Sequence, residues 1–229
     1  MAKIIKKLIK YNFSTGNKPE YLVIHDTGNR RKGANALAHF NYFNGGNRGA
    51  SAHYFVDDKE IIQVVEDCNA AWHCGDGKGK YGITNYNSLG IEICLNSDGD
   101  YEQTLKNALV LINSLQDKHG ISNEKVVRHF DASRKICPGS MSTENWRKWH
   151  EFKKDLAQLN KQINQRNKEK YEDTDLLDPH YFEVCSAITK LHQQGIINSP
   201  EYWHKNLGLG GMVKGEYVAT LLKRVALKL

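Results

Sequence analysis

Two of the chain's ten histidines, His25 and His129, a cysteine eight positions after the second, Cys137, and a carboxylate inside an apolar run, Glu92, are of types that could do chemistry together. His25 comes at the end of "YLVIH", which reads as a buried strand leading into a turn, and strand ends are where α/β folds expose reactive groups. His129 closes a second short strand-like run, "KVVRH". Cys137 lies in an irregular loop just before Pro-Gly, an awkward place for a thiol whose only task is packing. Two imidazoles and a thiolate would give zinc three ligands and leave a fourth position open for water, the pattern of catalytic zinc. A structural zinc site wants a fourth protein ligand, and no CxxC or HxxxH supplies one. Spacing alone leaves the plainer reading open, a loop that holds a His and a Cys and binds nothing.

Glu92 also has two readings. A carboxylate between Ile91 and Ile93 costs several kcal/mol if it is buried unpaired. In a strand its neighbours point the other way, so it lies either on a solvated face or towards a site where it serves as general base. Lys135, two residues before Cys137, is either an ordinary surface lysine or a cation placed to stabilise an oxyanion.

The elements that must position these groups follow from periodicity. "EYLVIH", "AHYFVDD", "EIIQVVE", "SLGIEICLN" and "KVVRHF" read as strands, the second and third as a hairpin about Asp-Asp-Lys. Leu37, Phe40 and Phe43 have helical spacing, as do Leu105, Leu109, Ile112 and Leu115, and Trp146, Trp149, Phe152 and Leu156. Strands alternating with helices predict an α/β domain, a central mixed β-sheet flanked by helices, over residues 1–159. Residues 160–178 are polar and Asn/Gln/Lys/Glu-rich, and read as a linker or as the exposed end of a long helix. Residues 179–229 predict a small all-helical domain, with Phe182, Cys185, Ile188 and Leu191 on one stripe and Val218, Leu221, Leu222, Val225 and Leu229 on another.

Composition narrows the function classes. The net charge of +6 is spread along the chain without a basic block, which argues against a nucleic-acid-binding tail, while a mild positive field favours anionic polymers such as those of cell walls. No apolar run approaches the ~20 residues that span a bilayer. Five cysteines without a CxxC pair suggest reduced thiols. The start, "MAKIIKKLIKYNF", has the look of a charged leader, but Lys6, Lys7 and Lys10 interrupt it and leave no hydrophobic region. The expectation is a protein without a signal peptide.

Taken in order, "YLVIHDTG", "SAHYFVDD", "AAWHCG", "NYNSLGIEIC" and "VRHFDASRKICPG" resemble the zinc-dependent N-acetylmuramoyl-L-alanine amidases of the peptidoglycan-recognition-protein superfamily, bacteriophage endolysins above all, over about residues 15–155. The resemblance implies zinc held by His25, His129 and Cys137, with Glu92 as general base and Lys135 as oxyanion stabiliser. It places Trp72, His73 and Asn85 along the peptide groove, and His53 with the substrate-binding residues. Some relatives have tyrosine just before the histidine of the "SAHY" strand; this chain has Ala52 there, so that role is not carried to Tyr54. Asp26, beside a ligand, is expected either to orient an imidazole or to serve a turn or helix cap.

The implied reaction is hydrolysis of the amide between N-acetylmuramic acid and L-alanine of bacterial peptidoglycan. An endolysin would be made in the host cytoplasm and reach the wall after release through a holin. The rival reading is a non-catalytic peptidoglycan-binding protein of the same fold; such relatives typically lack a zinc ligand, whereas all three are present here. A deaminase-type zinc site would need H-x-E…P-C-x-x-C, which is absent. The C-terminal unit partly resembles the cadence of cell-surface anchoring modules, implying a secondary wall polymer as its ligand. A helical cap or self-association unit is the alternative, and exposure of Tyr202 and Trp203 discriminates between them.

Overall fold

The computed structural model describes residues 3–172, 179–198, 200, 203 and 215–226, and the strands and helices with established bounds among them follow one another along the chain. The strands are β1 (Ile4–Lys6), β2 (Phe13–Thr15), β3 (Tyr21–Asp26), β4 (Tyr54–Val56), β5 (Ile61–Gln63), β6 (Asn69–Ala71), β7 (Ser88–Ile93) and β8 (Val126–Arg128). The helices are α1 (Ala36–Asn44), α2 (Tyr101–His119), α3 (His129–Ser133), α4 (Thr143–Glu172), α5 (Pro179–Gln193) and α6 (Gly215–Ala226). Six strands form a mixed sheet in the order β1-β5-β4-β7-β3-β8, and β2 pairs with β6 apart from it. The chain divides into two compact units, Met1–Lys161 and Gln162–Leu229.

Strand alternation gives the sheet two different faces. Leu22 and Ile24 of β3, Leu89, Ile91 and Ile93 of β7, and Tyr54 and Val56 of β4 pack against Leu111, Ile112 and Leu115 of α2 and Trp149, Phe152 and Leu156 of α4. Each fully buried aliphatic side chain there contributes roughly 1.5–3 kcal/mol. Together they outweigh the several kcal/mol that one awkward carboxylate on the opposite face costs. That opposite face carries His25 directly across from Glu92, and Glu92 directly across from Phe55.

Two buried carboxylates tie the scaffold together. Asp57, in the β4–β5 turn, accepts the backbone N–H groups of Ala36, Lys59 and Glu60, fixing the hairpin and the start of α1 at once. Asp67 accepts Tyr54 Oη–H at 2.6 Å, Gln63 Nε2–H at 3.0 Å and, with its other oxygen, Lys118 and His119 at 2.8 Å each, anchoring the last turn of α2. Tyr54 is thereby held on the apolar face, away from the candidate site. α2 starts at an Asp100 cap and stops at Gly120, which adopts φ 66°.

Three stretches take more definite form. The lysine-rich start contains the edge strand β1, where exposed lysines discourage further pairing. His129 opens α3 instead of ending a strand, because the Asp131 carboxylate takes the Arg128 backbone N–H and its guanidinium and turns the chain into a helix there. Residues 160–172 continue α4 as helix, while 173–178 lie outside the described residues. In the C-terminal unit Trp203, 9% exposed, packs with Ile188, Ile196 and Ile197, and Arg224 donates to the Ile196 carbonyl at 3.0 Å. Tyr202 lies outside the described residues. Among the described residues no helix is long and apolar enough to cross a membrane.

Candidate metal centre

His25 reaches the centre from the C-terminal end of β3, His129 from the first turn of α3, and Cys137 from the loop that follows α3. That loop folds back because Arg134, at φ 70°, ends the helix and the Cys137 carbonyl accepts the Phe130 N–H at 3.0 Å. The eight-residue spacing between His129 and Cys137 is thus closed by a hydrogen bond beside each residue. The ligand atoms of His25, His129 and Cys137 all lie within 4.8 Å of one another, and all three side chains are buried. His25 Nδ1 is 3.7 Å from Cys137 Sγ, and the two imidazole centroids are 4.5 Å apart.

The donor set fits a cation. His129 Nε2 contacts Asp76 Oδ1 at 2.8 Å, whereas His129 Nδ1 is buried and has no hydrogen-bond partner among the described residues. A buried ring nitrogen without a partner costs free energy unless something electrophilic faces it. Burial, then the neighbouring rings of His73 and His129 and the charge of Lys135, hold His25 well below its ordinary pKa; burial also lowers His129. Both imidazoles are therefore neutral at pH 7, as ligands must be. Burial pushes the Cys137 thiol up to about 12, so it gives up its proton only in exchange for a cation.

Glu92 faces this group from β7. Burial, reinforced by Asp26 and opposed by Lys135, raises its carboxyl to about 8, and its Oε2 is buried without a hydrogen-bond partner among the described residues. Lys135 is exposed at the rim, close enough for its charge to act on His25, His129 and Glu92. The structure thus brings together all three candidate ligands, the candidate base and the candidate oxyanion lysine.

The four residues assigned to substrate binding are placed differently. Trp72 is 38% exposed, with Nε1–H donating to Ser14 Oγ at 3.1 Å, and is available as a groove wall. His53 is not groove-facing: it is fully buried, with Nδ1 accepting the Gly90 N–H at 2.9 Å and Nε2–H donating to the Asn69 carbonyl at 2.9 Å. Asn85 spends its side-chain oxygen on the backbone N–H groups of His73 and Cys74, so it buckles the 72–75 loop. His73 contacts His25, with its Nδ1 3.1 Å from His25 Nε2. Asp26 serves the turn, its Oδ2 accepting the Ser140 N–H at 2.6 Å.

Sequence reasoning missed Asp76, Ser88 and a cavity of about 280 Å³ that begins two residues beyond His25. Thr27, Asn29, Ala34, Ala38, His39, Tyr42 and Phe43 line that cavity. The glycines of "CGDG" were the available signal for Asp76. A Cβ on Gly77 would lie 2.1 Å from the Ala132 carbonyl oxygen, so only glycine lets this turn press against α3 and deliver Asp76 to His129.

Known proteins resemble this chain in sequence and in fold. The profile of the family described as N-acetylmuramoyl-L-alanine amidase (Amidase_2) matches residues 15–140. The chain is 39% identical over 128 residues to the N-acetylmuramoyl-L-alanine amidase CwlH of Bacillus subtilis (strain 168), a match covering 56% of this chain and 50% of the relative. It is 40% identical over 135 residues to XlyA of the same strain, covering 59% and 43%. The matches thus span about half the length of these curated relatives. Among solved structures, a mutant endolysin from Bacillus subtilis superposes with a TM-score of 0.62 at 40% identity, covering 68% of this chain and 99% of the other. The catalytic domain of XlyA superposes with a TM-score of 0.61 at 38% identity, covering 67% and 99%. The chain belongs to the N-acetylmuramoyl-L-alanine amidase family.

Proposed function

We propose that this protein hydrolyses the amide between the lactyl group of N-acetylmuramic acid and L-alanine of the peptidoglycan stem peptide, and that it acts as a phage-type endolysin. The observation that carries the reading is the meeting of three buried ligand atoms with Glu92, which lies directly across the sheet from the ligand His25. His25, His129 and Cys137 would hold zinc, the ion suited to two imidazoles and one thiolate with a position left open. When bound, zinc supplies Lewis-acid activation of water and of the scissile carbonyl.

The chain's own residues do the rest. Glu92 accepts the proton of the attacking water and delivers it to the leaving amine of L-alanine. A carboxyl raised to about 8 without a cation suits a group that must both take and return a proton near neutral pH. Lys135 balances the charge that develops on the carbonyl oxygen. Trp72 and the cavity beside α1 supply walls for glycan or peptide.

For the C-terminal unit, the burial of Trp203 takes away one support for sugar stacking. Exposed Val218 and Leu222, four residues apart on α6, support the self-association reading. Sedimentation of the chain with purified walls, beside its mass in solution, separates the two.

The test of the reaction is mass spectrometry of purified peptidoglycan after digestion. Free lactyl groups together with peptides beginning at L-alanine are expected. New reducing ends, or cleavage within the peptide, would refute the assignment.

A further inference from the structure

We infer that His73 and Ser88 are positioning residues, forming a one-way hydrogen-bond chain that fixes the tautomer of His25 and turns its Nδ1 lone pair towards the metal. The inference rests on the zinc reading above. It is carried by contacts that join β7, the 72–75 loop and β3.

The polarity of the chain can be read from its far end. Ser88 is fully buried, and its Oγ lies 2.5 Å from the Thr84 carbonyl oxygen. A carbonyl cannot donate, so the hydroxyl proton lies between these two oxygens. Towards His73 Nε2, 3.2 Å away, Ser88 Oγ then has only an acceptor to offer. His73 must carry its proton on Nε2, which leaves its Nδ1 as a lone pair. That lone pair faces His25 Nε2 at 3.1 Å, so His25 carries its proton on Nε2. His25 Nδ1, 3.7 Å from Cys137 Sγ, is left bare and aimed into the ligand group. In the reverse tautomer a lone pair of His73 would face a lone pair of Ser88, and an N–H of His25 would occupy the metal's place.

A metal-ligating histidine ordinarily leans on a carboxylate, a carbonyl or water. His129 follows that rule through Asp76, whose side chain is 48% exposed. His25 leans instead on the half-buried imidazole of His73. The local sequence is built for this, because a Cβ on Gly90 would lie 2.6 Å from His73 Cγ. The glycine of "SLGIEI" is the seat of the His73 ring. His73, half-buried beside the exposed Trp72, thus has a positioning role in addition to its place by the groove.

The test is the zinc dissociation constant of the full chain, measured by competition with a chromophoric chelator, with urea unfolding of the metal-free forms to register any packing loss. His73→Leu removes the acceptor and should weaken zinc binding about 10- to 100-fold. Ser88→Ala should weaken it about 10-fold. His73→Asn places its Oδ1 near the position of Nδ1, supplies an acceptor without help from Ser88, and should restore affinity to within a few-fold. Ser88→Ala added to His73→Asn should then cost nothing further, a cancellation that loss of packing would not produce. If Ser88→Ala does not fold, the Asn and Leu variants at position 73 decide alone. Equal affinity of Ser88→Ala and wild type, or His73→Asn as weak as His73→Leu, would overturn the chain while leaving the zinc site standing. A wild-type chain that binds no zinc would overturn both.

Discussion

Gly90→Ala should disable the centre without touching a ligand. Gly90 lies in the middle of the sheet, paired with Val23 of β3, and exchanges hydrogen bonds with His53: its N–H reaches His53 Nδ1 at 2.9 Å and its carbonyl accepts the His53 N–H at 2.9 Å. The backbone therefore cannot retreat, and the His73 ring must. The new Cβ would stand 2.6 Å from Cγ, 2.8 Å from Nδ1 and 3.0 Å from Cδ2 of that ring. Ordinary contact begins at 3.4 Å, so the ring has to move by about 0.8 Å. A shift of that size takes the 3.1 Å contact with His25 out of hydrogen-bond range. Gly90 does not adopt a positive φ, so alanine suits the backbone and, without a clash, would stabilise by about 0.5–1 kcal/mol. With the clash, overpacking should cost about 1–3 kcal/mol and reverse the sign. Zinc affinity should fall about 10- to 100-fold, which is about 1.4–2.7 kcal/mol. Chelator competition gives the first quantity and urea unfolding of the metal-free chain the second. A variant as stable as wild type, with zinc affinity within twofold, would show that His73 is not wedged against Gly90 as described.

Glu92→Gln keeps the shape, removes the base and should abolish most wall digestion at unchanged zinc content; activity within a few-fold of wild type would require another base. For Lys135→Ala the expected loss of kcat is about 10²-fold, as for one oxyanion donor, with zinc again retained. Zinc affinity should rise about tenfold per pH unit between pH 7 and 9, because the Cys137 thiol, pushed up to about 12, releases one proton on binding while both imidazoles are already neutral; titration calorimetry in buffers of different ionisation enthalpy counts that proton, and a flat profile would refute it. Acid should destabilise the metal-free protein, since burial holds His53 at about 4 against 6.5 unfolded. Its contribution is fully present above pH 6.5 and is lost as pH falls towards 4, with a limit of about 3 kcal/mol. Urea midpoints across that window check it, and His53→Gln should flatten the slope.

Much of this centre was legible in the sequence because it lies where short-range rules apply. Period-two alternation in "YLVIHD" and "SLGIEI" put His25 and Glu92 opposite the apolar residues, so a common face needed only parallel pairing of two strands. The loop position of Cys137 left its role open and the resemblance of "VRHFDASRKICPG" to the family assigned it, while the helices α1, α2 and α4 were legible from their spacing. The groups that hold the ligands were not legible. Asp76 meets His129 across 53 residues and His73 meets His25 across 48, contacts that exist only after β7, α3 and the 72–75 loop have closed on one another.

The same physics explains the misplacements. His53 and Asn85 have the polar side chains expected of a groove, but buried backbone N–H and C=O groups need partners and both residues were recruited to supply them. Trp203 fills an apolar core that the sequence, showing only an aromatic near a proline, left open. Side-chain type and period determined which residues could do chemistry and on which face. The satisfaction of buried polar groups, a property of the whole packed chain, decided which of them gather at the candidate metal centre and which hold the fold.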